Sequence, residues 1–116
     1  MNQERRRFTR IQFASAARID GAVNAQLIDI SLKGVLLARP EHWSGGIGQA
    51  IAVEVFLDAD AAVIRMLGCV ARLEGTRIGV LCRHIDMDSI THLRRLIELN
   101  AGDPTLLQRE LAQLGA

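Results

Sequence analysis

The sequence predicts a mainly β fold of six short strands, arranged as an antiparallel barrel or sandwich, with helices after it. Between residues 11 and 86, apolar and polar residues alternate in short runs, as expected for strands with one buried face. Glycine, proline and aspartate separate these runs at short intervals, which favours tight connections between antiparallel neighbours. After residue 86 the apolar residues recur every three or four positions, which is the spacing of a helix.

Alternation and turn residues define the first three strands. Residues 11–19 alternate regularly between the two faces of a strand. The Asp-Gly pair at 20–21 favours a tight hairpin turn, because glycine tolerates a positive φ. A second strand is expected over residues 22–31, and residues 31–34 turn the chain into a third strand at 35–38.

A long loop precedes the other three strands. Residues 39–48 contain one proline and three glycines and predict the longest loop of the chain. We expect Trp43 to anchor this loop by burying its ring. The remaining strands are expected over residues 51–57, 63–73 and 77–84, with turns at 58–61 and 74–75.

Two helices are expected after the strands. Asp88 is the predicted N-cap of the first helix and Gly102 its stop. The apolar face of this helix comprises Ile90, Leu93, Leu96 and Ile97. An Asp-Pro pair at 103–104 suits the start of a second helix. Its stripe of leucines comprises Leu106, Leu107, Leu111 and Leu114. We expect the helical tail of residues 87–116 to pack on the β domain of residues 11–86.

The composition indicates a single folded domain in the cytoplasm. The chain has 116 residues and a mass of 12.7 kDa, and 49% of its residues are hydrophobic, which suffices for a core. No uncharged apolar run approaches the roughly 18–20 residues that span a membrane, so we expect no membrane insertion. The charged N-terminus leads into no apolar segment of the kind found in secretory signals. The thiols of Cys69 and Cys82 are therefore expected to be reduced.

The positive charge is concentrated at one end of the chain. The net charge is only +1, which argues against bulk electrostatic binding to DNA or anionic lipid. In the first ten residues, Arg5, Arg6, Arg7 and Arg10 outweigh one glutamate to give +3, which leaves −2 for the rest. Guanidinium groups suit phosphates and stack on planar bases. Residues 1–10 are therefore interpreted as a flexible anion-binding arm, with a solvated basic tail as the simpler alternative.

A second cluster of polar residues lies at the end of the second strand. In an extended strand, Asp29 and Ser31 point to one face, while Ile28 and Ile30 point to the core. Gly34 follows at the turn, where either a close ligand approach or a positive φ would forbid a Cβ atom. Taken by itself, the segment is equally consistent with an ordinary polar turn.

Together and in this order, the two clusters resemble the PilZ domain family, bacterial receptors for the second messenger cyclic di-GMP. The family's RxxxR element matches Arg6 and Arg10, with Arg5 before it and Arg7 inside it, and its D/N-x-S-x-x-G motif matches residues 29–34. The stretch after residue 85 is similar to the C-terminal helix of small stand-alone members. The resemblance implies a six-stranded antiparallel PilZ-type β-barrel with C-terminal α-helices.

The resemblance also implies the ligand contacts. The four arginines would hold phosphates or guanine edges. Asp29 would accept hydrogen bonds from the N1–H and N2 groups of guanine, Ser31 would add a hydroxyl contact, and Gly34 completes the motif. Arg72 lies where some stand-alone relatives present an aromatic side chain, so it would stack on guanine. The alternative for Arg72 is an exposed strand-end arginine near Glu74.

The other polar residues suggest no site. Cys82 and His84 are two apart on one strand and hence on one face, but two ligands do not make a zinc site. A buried thiol and an imidazole at the barrel end fit them better, and Cys69 is expected in the core. No grouping resembles a nucleophile with its base, and residues 45–48 lack the helix and lysine of a phosphate-binding loop. We expect neither an enzyme nor a bound metal or cofactor.

Two functions are alternatives at this point. The first is a non-enzymatic, single-domain cyclic di-GMP receptor, in which the ligand orders the arm and a protein partner reads the changed surface. The second is a ligand-independent PilZ-like adaptor in pilus or flagellar protein interactions. The intact motif residues favour the receptor, because degenerate members of the family typically lack several of them.

Overall fold

A computed structural model of the chain describes residues 11–57 and 62–101. The predicted arm over residues 1–10, the turn at 58–61, Gly102 and the second predicted helix lie outside the described residues. In the part that is described, no helix is long and apolar enough to cross a membrane.

The described residues form six strands and one helix. They are β1 (Ile11–Ile19), β2 (Val23–Ser31), β3 (Gly34–Ala38), β4 (Ala50–Leu57), β5 (Ala62–Glu74), β6 (Arg77–Ile85) and α1 (Met87–Ala101). Each strand begins and ends within one residue of its predicted bounds. The alternation of apolar and polar residues therefore carried enough information to locate every strand.

The six strands close into one antiparallel barrel in the order β1-β2-β3-β6-β5-β4. This confirms the barrel over the sandwich. The β1–β2 hairpin turns at Asp20 and Gly21, whose φ angles of 54° and 69° fit the predicted tight turn. The Asp20 carboxylate also accepts a 2.8 Å hydrogen bond from the backbone N–H of Ala52, which ties the turn to β4.

Aliphatic side chains fill the barrel, and α1 packs against it. Trp43 is 7% exposed and belongs to the core, which confirms that it anchors the β3–β4 loop. The helix packs mainly on β5 and to a smaller extent on β1. The fully buried side chains of the barrel include Ile19, Leu27, Ile30, Leu37, Ile64 and Ile78, and those of the helix include Leu93 and Ile97.

The N-cap of α1 is Asp86, and the prediction of Asp88 was wrong. The Asp86 carboxylate accepts a 2.6 Å hydrogen bond from the backbone N–H of Ser89, and its carbonyl accepts one from Ile90 at 2.9 Å. This is the geometry of an N-cap, which satisfies donors in the first turn that have no intrahelical partner. Asp88 lies within the first turn instead, where its charge complements the helix dipole.

Cys69 is half-buried and lies outside the core, so the prediction that it belongs to the core was wrong. On β5 the inward residues are Ile64, Met66 and Val70, which are almost inaccessible. Because successive side chains of a strand alternate between faces, Cys69 lies on the outer face between two inward positions.

A β-bulge at Ile28 determines which face of β2 carries the polar residues. Leu27 pairs with Leu37 but Asp29 pairs with Leu36, so Ile28 is the extra residue. Without the bulge, Asp29 would share the inward face of Leu27. The bulge shifts the inward–outward alternation of β2 by one residue, so that Asp29 faces outward. Ile28 is half-buried, and the prediction that it points into the core was wrong.

A second bulge, at Ala71, has the same effect on β5. Val70 pairs with Val80 but Arg72 pairs with Gly79, which leaves Ala71 as the extra residue. Val70 faces inward, so an unbroken strand would also direct Arg72 inward. The bulge instead places Arg72 on the outer face of the barrel.

Candidate ligand-binding site

Four of the predicted site residues line one cavity on the outer face of the barrel. The cavity has a volume of about 240 Å³ and lies across β2, β3, β6 and β5. Its predicted residues are Asp29, Ser31, Gly34 and Arg72, and its other lining residues are Lys33, Val35, Leu36, Ala71, Gly79, Val80 and Leu81. The structure thus brings together residues that are up to 43 positions apart in sequence, from Asp29 to Arg72.

The strand register arranges part of this cavity as a row across four strands. Asp29 pairs with Leu36, Leu36 with Gly79, and Gly79 with Arg72. Neighbouring strands lie about 4.8 Å apart, so the row spans roughly 14 Å of backbone between its ends. The carboxylate of Asp29 and the guanidinium of Arg72 therefore belong to opposite rims, separated by Leu36 and the bare backbone of Gly79.

The rim formed by Asp29 and Ser31, called the acidic rim below, is more enclosed than the rim at Arg72. Asp29 is 8% exposed and Ser31 is 7% exposed, whereas Arg72 is exposed. The Ser31 hydroxyl accepts a 3.1 Å hydrogen bond from the backbone N–H of Lys33, which fixes the turn between β2 and β3. The rim is therefore built on a strand and a closed turn, which hold its polar groups in place.

Gly34 is required by the approach of two backbones. A Cβ atom at this position would lie 1.9 Å from the carbonyl oxygen of Val80 on β6. Its φ is not among the positive values of the described glycines, so the alternative of a left-handed turn does not apply. The neighbouring Cys82 N–H donates a 2.7 Å hydrogen bond to the carbonyl of Lys33, which joins β6 to the same turn.

Lys33 and Gly79 line the cavity but were not predicted as site residues. Lys33 is exposed and lies inside the D-x-S-x-x-G segment, so its position in the motif was an available signal. Gly79 interrupts an otherwise regular strand, but only the register of β6 shows that it faces the cavity.

Cys82 and His84 lie on opposite faces of β6, so the expectation that they share one face was wrong. Gly68 pairs with Cys82 and Leu67 with His84, which leaves Arg83 as a bulged residue between them. Cys82 packs against the core, where burial raises the pKa of its thiol, and the Lys33 charge opposes this effect. Among the described residues, no group of three or more His, Cys, Asp or Glu side chains could hold a metal ion.

A second cavity, of about 370 Å³, lies where β6 leads into α1. It contains none of the predicted site residues. Its lining residues are Arg65, Leu67, His84, Ile85 and Asp86. The candidate site is therefore the cavity beside Asp29 and Arg72.

Comparison with known proteins agrees with the barrel and its helix. A family model described as "PilZ domain" matches residues 4–99. A solved structure of the Bacillus subtilis inhibitor of motility, MotI/DgrA, superimposes with a TM-score of 0.70 at 16% sequence identity. The match covers 82% of this chain and 50% of that chain, so the present chain spans half the length of that protein. At this level of identity the likeness concerns the fold.

Proposed function

The chain belongs to the PilZ domain family, whose members are generally cyclic di-GMP receptors, and we propose that it is a non-enzymatic receptor for this dinucleotide. One observation carries the proposal: Asp29, Ser31, Gly34 and Arg72 line a single cavity on the outer face of the barrel. Two of these residues owe their outward position to separate bulges, in β2 and in β5. Bulges of this kind are over-represented beside functional sites.

The arm that precedes β1 would supply the phosphate contacts. Ile11 pairs with Ile30, so the chain enters β1 beside the acidic rim of the cavity. Arg5, Arg6, Arg7 and Arg10 belong to the ten residues before this point and are within reach of a ligand bound there. Guanidinium groups bind phosphate bidentately, and cyclic di-GMP carries two phosphates.

The rims of the cavity would supply the base contacts. Guanine presents the N1–H and N2 donors along one edge, and the Asp29 carboxylate consists only of acceptors when ionised. The Ser31 hydroxyl adds a second polar group beside it. At the opposite rim, the Arg72 guanidinium can stack on a purine face.

Ligand-induced ordering of the arm would be the signal. Neutralising the adjacent arginines with two phosphates would hold the arm against the acidic rim and create a new surface. A protein partner that recognises this surface would act as the effector. The partner and the cyclic dinucleotide are the only binding partners that we propose.

Titration calorimetry of the full chain with cyclic di-GMP tests the proposal. We expect saturable binding, and we expect Arg6→Ala and Arg10→Ala each to weaken it by about 1.5–3 kcal/mol, the scale of a charge-assisted contact. The unfolding temperature without ligand should not change in either variant. Arg94→Ala on the exposed face of α1 is the matched control and should bind as the wild type does.

Absence of binding by the wild-type chain would refute the receptor and would favour a ligand-independent adaptor. Binding that is unchanged in both arginine variants would show that the arm is not part of the site. Arg5 and Arg7 lie outside the two fixed positions of the RxxxR element, so substituting them should have smaller effects.

A further inference from the structure

Gly79 is an interior glycine of β6 that neither a turn nor a left-handed backbone conformation requires. It is the third of the nine residues of β6, and its φ is not positive. Glycine weakens the interior of a strand, because it costs more conformational entropy and offers no side chain to pack. A glycine there often marks a place where a ligand or another backbone comes close.

Comparison with two other glycines shows that close backbone packing does not account for Gly79. A Cβ atom on Gly34 would lie 1.9 Å from the Val80 carbonyl oxygen, and one on Gly68 would lie 2.2 Å from that of Leu81. Both positions exclude any side chain. At Gly79 the nearest atom would be the Arg72 Cβ at 3.1 Å, and the next would be 3.9 Å away. A methyl group there would crowd the base of the Arg72 side chain, which would have to move by a few tenths of an ångström.

The missing side chain leaves a flat area in the floor of the cavity. Leu36 and Arg72 are the cross-strand neighbours of Gly79 on either side, and Leu81 is the next outward residue along β6. All four residues line the cavity. A planar ring could lie on the β6 backbone at van der Waals distance here, with apolar side chains at its edges.

We propose that Gly79 is a ligand-contact position, on which the face of one guanine ring of the dinucleotide lies flat. Leu36 and Leu81 border the ring, and the Arg72 guanidinium covers its second face, so that the base is held between the peptide backbone and a cation. This inference rests on the proposed function and adds to it a position outside both motifs. A side chain at residue 79 would lift the ring from the floor and move it away from Arg72.

Nuclear magnetic resonance of the wild-type chain tests the contact directly. On addition of cyclic di-GMP, the Hα protons of Gly79 should shift upfield, because they would lie against the face of an aromatic ring. The Hα protons of Gly46, an exposed loop glycine outside the cavity, should not shift. If the ligand binds and shifts the resonances of Asp29 and Ser31 but not those of Gly79, the inference is wrong while the receptor stands.

Substitution provides a second, independent measurement. Gly79→Ala should lower the affinity for cyclic di-GMP about tenfold or more, with a similar loss in Arg72→Ala, while the apo chain remains folded at the temperature of the binding measurement. Gly46→Ala is the matched control, because a Cβ atom there meets nothing within 4 Å, and it should change neither property. Wild-type affinity in Gly79→Ala would show that guanine does not lie on Gly79. Wild-type affinity in Arg72→Ala would show that Arg72 does not cover the second face of the ring. Failure of the wild-type chain to bind refutes the proposed function itself.

Discussion

In the proposed site, the direction in which the Asp29 carboxylate points matters as much as its charge. It stands at the register shift of β2, where the bulge moves it from the core side to the cavity. Its low exposure of 8% means that a ligand group facing it loses little to competing water. An acceptor held in this way is suited to recognise a donor edge, and less suited to a phosphate, which it would repel.

The substitution Asp29→Asn separates base recognition from charge. The asparagine keeps the shape but replaces one acceptor oxygen by an NH₂ donor, which would face the N1–H or N2 donors of guanine. We therefore expect weaker binding of cyclic di-GMP by calorimetry. A site that only holds phosphates would bind more tightly, because a negative charge beside an anion has been removed.

The sign of the change is therefore diagnostic. Glu98→Gln is the matched control, since it removes the same charge from an exposed position on α1. It should leave the affinity unchanged or raise it slightly. Tighter binding by Asp29→Asn, relative to this control, would rule out guanine recognition by Asp29.

Single residues of the site differ in how far the sequence could reveal them. The spacing of Asp29, Ser31 and Gly34 identified three cavity residues, because a strand followed by a turn keeps such positions together. The sequence could not show why residue 34 is a glycine, since the reason is a carbonyl of β6 that is 46 positions away in sequence. Gly79 was overlooked for the same reason, because its neighbours are known only from the register of three strands.

At the scale of elements, the strand bounds were predictable and the bulges were not. The apolar residues of this segment are Leu27, Ile28, Ile30 and Leu32. Near residue 28, the sequence therefore allows either the odd or the even positions of β2 to face the core. The prediction placed Ile28 and Ile30 in the core, whereas the barrel buries Leu27 and Ile30, with the bulge between them. A local pattern cannot reveal a shift that the neighbouring strand imposes.

The N-cap of α1 provides a prediction about stability and pH. Hydrogen bonds from the Ser89 side chain and then from its backbone N–H lower the pKa of Asp86. Because the pKa in the folded state lies below that of the unfolded chain, the ionised carboxylate stabilises the fold. This contribution is complete above the unfolded pKa, near 3.9, and is lost as the pH falls through the lowered folded value.

We therefore expect Asp86→Ala to unfold at a lower temperature than the wild-type chain at neutral pH. The difference should diminish as the pH falls below about 4, when the wild-type carboxylate takes up its proton. Asp88→Ala is the control and should have the smaller effect, because Asp88 complements the helix dipole without capping the helix. An equal effect of the two substitutions in thermal unfolding followed by circular dichroism would contradict the assignment of Asp86 as the cap.

At the scale of the whole molecule, the closed barrel presents the cavity beside the point where the arm joins β1. The chain enters β1 at Ile11, opposite Ile30, and the acidic rim follows at once on β2. The arm carries adjacent like charges and, beyond Met1, only Phe8 as a large apolar residue, so its sequence predicts little structure without a ligand. Part of the binding energy would then be used to order it, which predicts moderate affinity that weakens at high salt.

A chain that begins at Ile11 tests whether the arm is the switch. The core side chains among the described residues begin at Ile11, so we expect the shortened chain to keep its unfolding temperature and to lose most of its affinity for cyclic di-GMP. Limited proteolysis of the full chain gives an independent measurement. A protease that cuts after arginine should cleave between Arg5 and Arg10 quickly without ligand, and slowly at saturating cyclic di-GMP, because bound phosphates would hold the scissile bonds in place. Cleavage after the exposed Arg94 on α1 serves as the internal control and should not respond to the ligand. Equal cleavage rates in the arm with and without ligand, or full affinity in the shortened chain, would show that the signal arises elsewhere in the molecule.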